Sequence, residues 1–478
     1  MTMHRRRFLT NMGLGLTGMA TLGALAACEG NADEDGPTGE GTPSAPSDSA
    51  PSGRSAVIVV GAGISGLAAA RHLADKGKDV LVLEARNRIG GRIWTSEQWA
   101  GTPVDLGASW IHGVDKNPIT DLAAKAGART VTTNADSATE YVASGRQADN
   151  AAEQSIQRWR KATTQALASN QDQNDDQKDT SVRSVVELAL NWPSLSNDDR
   201  SLVSFALNDY EHEYAGGVND MSGLFFDNGA NIKGRDVLFP GGYHQITDLL
   251  AKGLSVRTEH VVRQIDWNSG GVTVTTDKGA FQGDHVVVTL PLGVLQSGAV
   301  KFGPGLPADK RTAIDKLGMG LLNKCYLRFP KVFWADTDWL MYAPSLDKYG
   351  QWEQWINVNR AVGQPVLLGF NAADFGRTIE GWSDAQIVAS AMDTLKTIYG
   401  GGIPQPTDFQ ITRWASDPYA RGSYSFYKVG STPAMRDQLA ARIGDRVHFA
   451  GEATHRDSSA TVHGAYLSGI RAAKEIAG

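Results

Sequence analysis

Residues Val57–Glu84 read VIVVGAGISGLAAARHLADKGKDVLVLE, and this stretch decides the fold. Val57 to Val60 form a short apolar run suited to a buried strand. Gly61, Gly63 and Gly66 follow as G-x-G-x-x-G. Ile64 and Ser65 then open a helix with apolar period at Ile64, Leu67, Ala68 and Leu73, ended by Gly77. A second apolar run, Val80–Leu83, delivers Glu84, 23 residues after Gly61. Gly61 permits the tight turn, Gly63 lets a pyrophosphate approach the backbone, and Gly66 lets helix and strand pack closely. Free N–H groups at the helix start attract phosphate. An acid at the second strand end suits ribose hydroxyls and disfavours a 2′-phosphate, hence NADP. The glycine pattern alone is common. Placed after a strand, before a helix and ahead of an acid, it reads as a dinucleotide site.

The chain has 478 residues, enough for two or three domains. It is 41% hydrophobic and 21% charged, an ordinary globular balance. A formal charge of −6 gives no reason to expect nucleic-acid binding. The two cysteines, Cys28 and Cys325, exclude a disulfide framework and a cysteine-based zinc site. The ten histidines show no metal-ligand spacing, so no metal is expected.

The N-terminus reads as an address. Arg5 and Arg6, followed by Phe8 and Leu9, resemble a twin-arginine export signal. The glycine-rich run from Met12 to Ala27 is too short to span a membrane. Leu25-Ala26-Ala27-Cys28 resembles a lipobox, with Cys28 the lipidated mature terminus. Losing residues 1–27 removes three arginines and no acid, taking the charge from −6 to −9. Residues 29–54 are rich in Gly, Pro, Ser and acids and are expected to form a disordered tether, spanning roughly 30 Å. The expected location is extracytoplasmic, with membrane contact only through the lipid anchor.

After Glu84 comes Ala85-Arg86-Asn87-Arg88-Ile89-Gly90-Gly91-Arg92. Its glycines and arginines, notably Arg86, Gly91 and Arg92, can lay backbone and guanidinium groups along a pyrophosphate. Together with Asp105-Leu106-Gly107-Ala108-Ser109-Trp110-Ile111-His112-Gly113, these motifs resemble the flavin-containing amine oxidases, the group of monoamine and polyamine oxidases and lysine-specific histone demethylases. The resemblance covers residues 55–478. It implies an α/β fold: a doubly wound FAD-binding domain, discontinuous in sequence, from 55–130, 230–300 and 430–478. An α+β substrate domain takes 131–229 and 301–429.

The resemblance also assigns roles. Gly107, Ala108, Ser109 and Trp110 lie along the flavin ring, and Val262 meets the adenine. Lys324, in an apolar strand, stands beside flavin N5 and helps dioxygen accept electrons. Trp414 packs near the flavin, and Tyr424 forms one wall of an aromatic cage. Ser423 stands where monoamine oxidases carry a flavin-linking cysteine, so FAD is expected to be non-covalent. Gly451 and Glu452 hold the ribityl or phosphate side. Thr461 replaces the second cage tyrosine, and the helix start at Val462 faces the flavin pyrimidine. His112 and one of Glu211 and Glu213 are candidates for the substrate, the acid pairing with a distal ammonium.

The activity implied is oxidation of a polyamine-like amine by hydride transfer to flavin. Dioxygen is then reduced to hydrogen peroxide, and the imine is hydrolysed to aldehyde and amine. Three alternatives stay open: an L-amino-acid oxidase, a dehydrogenase that avoids oxygen, and a non-catalytic amine-binding lipoprotein. The absence of a Met-Arg-Ile-Pro-like stretch disfavours the first, and Lys324 the second.

Overall fold

The computed structural model describes residues 54–172 and 178–478. The expected signal, Cys28 and the tether up to residue 53 lie outside the described residues. Arg54, expected to end the tether, is instead pinned to the fold. Its Nε donates to Asp284 Oδ1 at 2.7 Å.

Two sheets organise the chain. At the centre of the eight-stranded sheet is Ser55–Val60, parallel to Val80–Leu83 on one side and Gly279–Val288 on the other. Ser255–Arg257 extends the sheet beyond Val80–Leu83. The first half of Gly279–Val288 pairs antiparallel with Gly271–Thr276, and its second half runs parallel to Val447–Phe449. Val262–Asn268 and then Lys301–Gly303 complete the edge, the latter one strand past the boundary expected at residue 300. The strand begins at Val262, after a turn at Glu259 with φ 56°.

The central strand is buried on both faces, as an all-apolar run between helical layers must be. Val57 and Val59 pack under helices Ile64–Asp75, His244–Ala251 and Val462–Ala477. Ile58 and Val60 face the opposite core, with Ile314 and Leu439. Gly66 lets the first helix lie on its strand: a Cβ there would stand 2.0 Å from the Gly61 carbonyl oxygen. Gly469 does the same for the last helix, where a Cβ would stand 2.1 Å from the Ser65 carbonyl oxygen.

The second sheet has six strands, in the order Asp408–Ile411, Leu322–Arg328, Val366–Ala372, Gln354–Asn357, Trp339–Tyr342, Ala138–Tyr141. Alternation along Leu322–Arg328 sends Cys325 and Leu327 into one core and Tyr326 into another, with Lys324 on the Tyr326 side. Helix Asn197–Tyr214 is capped by Ser196, whose Oγ accepts from Asp199 N at 3.1 Å. It ends at Ala215 with φ 58°. The long helix Asn150–Asp172 packs beside it.

Candidate functional site

One cavity of about 740 Å³ runs from the glycine turn to the second sheet. Its nucleotide end is walled by Gly61, Gly63, Ile64 and Ser65, with Glu84 and Ala85 from the next strand end and Val262 opposite. No side chain caps the helix that starts at Ile64, so its first amides face the cavity without a protein anion. Glu84 is buried and itself organised: Oε2 accepts from Ala62 N at 2.7 Å and Oε1 from Arg86 N at 2.9 Å. Gly66 serves packing and does not line the cavity.

The arginines expected along a pyrophosphate are committed elsewhere. Arg86 lines the cavity but forks onto Asp417 at 2.7 and 2.8 Å. Arg88 stacks over Trp94, 4.5 Å from the ring centre. Arg92 donates to Glu452 Oε1 at 2.9 Å. With Arg86 and Arg92 ion-paired, the backbone amides near Gly91 are the groups left to face an anion here.

The middle of the cavity joins distant parts of the chain. Gly107, Ala108 and Ser109 form one wall; Gly451, Glu452, Thr461 and Val462 form another. Gly451 has φ 123°, and a Cβ there would meet nothing within 4 Å, so the space it faces is cavity. Glu452 accepts from Ser425 Oγ at 2.7 Å and Ala460 N at 2.9 Å as well as from Arg92. Burial works to raise its carboxyl, but Arg92 and Arg436 outweigh it and hold the group below the usual range. Thr461 caps the last helix, accepting from Gly464 N at 3.0 Å.

At the second sheet the cavity becomes an aromatic chamber. Trp110 stacks on Trp339 with ring centres 6.1 Å apart and planes 13° apart. Phe370 continues that wall, and Tyr424, Trp414 and Leu322 close the others. The Tyr424 hydroxyl donates to the His212 carbonyl at 2.9 Å. His112 lies at the wall beside Trp110, its Nδ1 3.1 Å from Asp236 Oδ2. Ser423 lines the cavity, its Oγ accepting from Leu322 N at 2.9 Å and lying 2.9 Å from the Leu322 carbonyl oxygen.

Lys324 is buried beneath the loop 105–109. Its Nζ donates to the carbonyls of Asp105 at 2.7 Å and Gly107 at 2.6 Å, and to Ser109 Oγ. Burial lowers its ammonium to about 7, against the pull of Asp105. Burial raises the Asp105 carboxyl to about 6, against the Thr95 hydroxyl, the Tyr243 amide and Lys324. The ammonium does not reach out to solvent, since it is caged by acceptors.

The acids on helix Asn197–Tyr214 separate. Glu213 lines the cavity. Glu211 does not: its carboxylate folds back, accepting from Asn208 Nδ2 at 2.9 Å and Val218 N at 3.0 Å. Residues two apart on a helix cannot share a face. Asp209 lines the cavity with His212 and Glu213, which follow it three and four positions along the helix, and the sequence reading passed over Asp209 and His212. A search of that helix at i, i+3, i+4 spacing would have found them.

These features are matched outside the chain. The family model for flavin containing amine oxidoreductases covers residues 64–477. The chain belongs to this family. It is 34% identical over 433 residues to polyamine oxidase 4 of Oryza sativa subsp. japonica, covering 88% of each chain. It is also 34% identical to lysine-specific histone demethylase 1 homolog 2 of Arabidopsis thaliana, covering 88% of this chain and 58% of that protein. A structure of wild-type putrescine oxidase bound to putrescine superposes with TM-score 0.73 at 20% identity, over 88% of this chain and 99% of that one. The amine oxidoreductase family and the α/β fold expected from the motifs are thus both found.

A flavin fits the residues present. Two helix starts face one cavity, and one of them lacks a capping side chain. The Tyr243 hydroxyl lines the same cavity, buried and without a hydrogen-bond partner among the described residues. An amide cradle and an orphaned hydroxyl suit a polyhydroxylated phosphate ligand.

Proposed function

We propose that this chain is an FAD-dependent oxidase of small amines, with FAD held non-covalently. The observation that carries the reading is the single cavity joining a dinucleotide cradle to an aromatic chamber with a caged lysine. Glu84 would hold ribose, the amides after Gly61 the pyrophosphate, and the Gly451–Val462 wall the ring end of the flavin. Ser423 leaves no thiol at the position where a cysteinyl link would form. When bound, FAD supplies the two-electron acceptor and passes the electrons to dioxygen, releasing hydrogen peroxide.

The chain's own part is position, dryness and charge. Trp110, Tyr424 and Phe370 strip water from the amine, which favours the neutral, reactive form of its nitrogen. The loop 105–109 fixes the Lys324 ammonium at one place on the wall, where its charge stabilises negative charge that develops nearby. The names of the relatives matched point to polyamine-like substrates. We also propose export of the folded, loaded protein through the twin-arginine-like N-terminus, with Cys28 lipidated.

The test is peroxide release by the purified holoenzyme with spermidine, tyramine and an L-amino acid. Peroxide with an amine is the expected result. Peroxide only with the amino acid transfers the reading to an L-amino-acid oxidase, and none with any of them overturns it.

A further inference from the structure

The strand that carries Lys324 is gripped by polar side chains that stand outside the cavity. Asn323 is 2% exposed, and both ends of its amide are bonded. Oδ1 accepts from the Trp414 amide at 3.0 Å and from the Thr412 hydroxyl at 3.0 Å, while Nδ2 donates to Glu380 Oε1 at 2.8 Å. A backbone N–H can only donate, so the amide cannot be turned round. Glu380 ends helix Ala373–Glu380, which follows directly on Val366–Ala372, the strand paired with Leu322–Arg328. Its carboxylate meets donors alone: Asn323 Nδ2, the Ala415 amide at 2.8 Å, the Ser416 amide at 2.8 Å and the Ser416 hydroxyl. Arg413 is turned elsewhere, donating to the Glu380 and Trp382 carbonyls and pairing with Asp384 at 2.7 Å. Asn323, Glu380 and the segment 412–416 therefore close a triangle of hydrogen bonds.

This clamp reaches Lys324 from both ends. At the backbone, Thr412 Oγ1 accepts from Lys324 N at 2.8 Å, and Thr412 N donates to the Lys324 carbonyl at 3.0 Å. At the ammonium the route runs through Trp414. Its indole lines the cavity, and Nε1 donates to the Leu106 carbonyl at 3.3 Å. Leu106 lies between Asp105 and Gly107, whose carbonyls hold the ammonium. The strand Asp408–Ile411 stops short of Trp414, so no sheet ladder fixes that residue. Its carbonyl is held by Gly422 N at 2.8 Å, but its amide depends on Asn323. Leucine at position 323 would leave that buried amide unpaired, and aspartate would set two carboxylates face to face.

We propose that Asn323 and Glu380 are positioning residues for Lys324, fixing its backbone through Thr412 and the loop that cages its ammonium through Trp414. This rests on the amine-oxidase reading above and names the residues that govern its oxygen half-reaction from outside the cavity.

The experiment reduces purified holoenzyme with dithionite, without amine, and follows flavin reoxidation by oxygen in stopped flow. Asn323→Leu and Glu380→Gln should each slow it about tenfold, less than the roughly 10²-fold that a 1 Å misplacement can cost. Asn323→Asp should be slow at about pH 8 and regain much of the wild-type rate at about pH 5.5, where facing carboxylates share a proton. Asn323→Asp combined with Glu380→Gln reverses donor and acceptor across their bond and should recover part of the rate at about pH 8. Ser383→Ala removes a helix cap just past Glu380, and should destabilise the protein without slowing reoxidation. A crystal structure of Asn323→Leu should show the Trp414 indole and the Lys324 ammonium displaced. If that variant fails to fold, the isosteric Asn323→Asp carries the test. Unchanged reoxidation in Asn323→Leu and Glu380→Gln, or slowing with no recovery in the combined variant and at low pH, overturns the proposal. Slowed and recovered rates in a protein that yields no peroxide with any amine uphold the clamp and reject the amine reading alone. A purified protein without flavin rejects that reading too, and the variant structures then decide the clamp: an ammonium still seated on the Asp105 and Gly107 carbonyls overturns it.

Discussion

At the nucleotide end of the cavity, Gly61, Gly63 and Gly451 present backbone; at the chamber end, Asp209 and Tyr424 present side chains held by partners far away in the chain. The first wall depends on what is missing. A Cβ at Gly66 would strike the Gly61 carbonyl, and the amides are available because no side chain caps them. The second wall depends on what is present and paired. Asp209 is held by Arg160 from one helix and Gln354 from a strand, and the Arg160 guanidinium is shared with Glu140. A backbone wall tolerates little variation in sequence and accepts a fixed ligand part. A paired side-chain wall can be retuned by single substitutions, and it is where selectivity between amines should reside.

This contrast can be broken. Gly66→Val should have the largest effect: the helix cannot seat on its strand, and the purified protein should retain no flavin by absorbance. Full flavin content in that variant would remove the backbone account. Arg160→Met should cost about 3–5 kcal/mol in urea unfolding, because it strands two buried carboxylates. It should leave flavin content largely in place, which separates the two walls.

Lys324→Met should keep anaerobic bleaching of the flavin by amine but slow reoxidation by oxygen, by about 10²-fold in stopped flow. His212 gives a pH test. Its folded value near 4 lies below that of the unfolded chain, so the unfolded state binds more protons between about pH 6.5 and 4. Stability is therefore full above that window and falls by up to about 1.4 kcal/mol per pH unit on going down through it. His212→Phe should flatten that part of the profile. Smallest of all, Ser383→Ala removes a capping box remote from both walls and should cost about 1 kcal/mol with no change in selectivity.

The legibility of the two walls differs for the same reason. The turn at Gly61–Gly66, the strand ending in Glu84 and the order of the flavin motifs are local, and short windows of sequence contain them. Lys324 was also visible, as a charge in an apolar strand. What keeps it there was not visible: the carbonyls of Asp105 and Gly107 come from a loop more than two hundred positions away. The arginines after Glu84 looked ready for phosphate because their partners, Asp417 and Glu452, sit at the far end of the chain. Glu211 was weighed beside Glu213 by composition, where the helical angle between them already separated the two. Asp209 and His212 carry no motif, and their significance depends on Arg160, Gln354 and a cavity that exists only after folding.

The seating of Gly469 on Ser65 has a consequence in time. The wall Gly451–Val462 and the helix Val462–Ala477 that rests on the first helix lie far beyond it in the chain, and synthesis makes them much later. A ribosome that has made the glycine turn, Glu84 and even Lys324 has still not closed the cavity. Until residue 469 has emerged, the nascent chain has one side of a nucleotide site and nothing opposite it. Closure of the cavity is thereby tied to the synthesis of residue 469, far along the chain from the glycine turn that opens it.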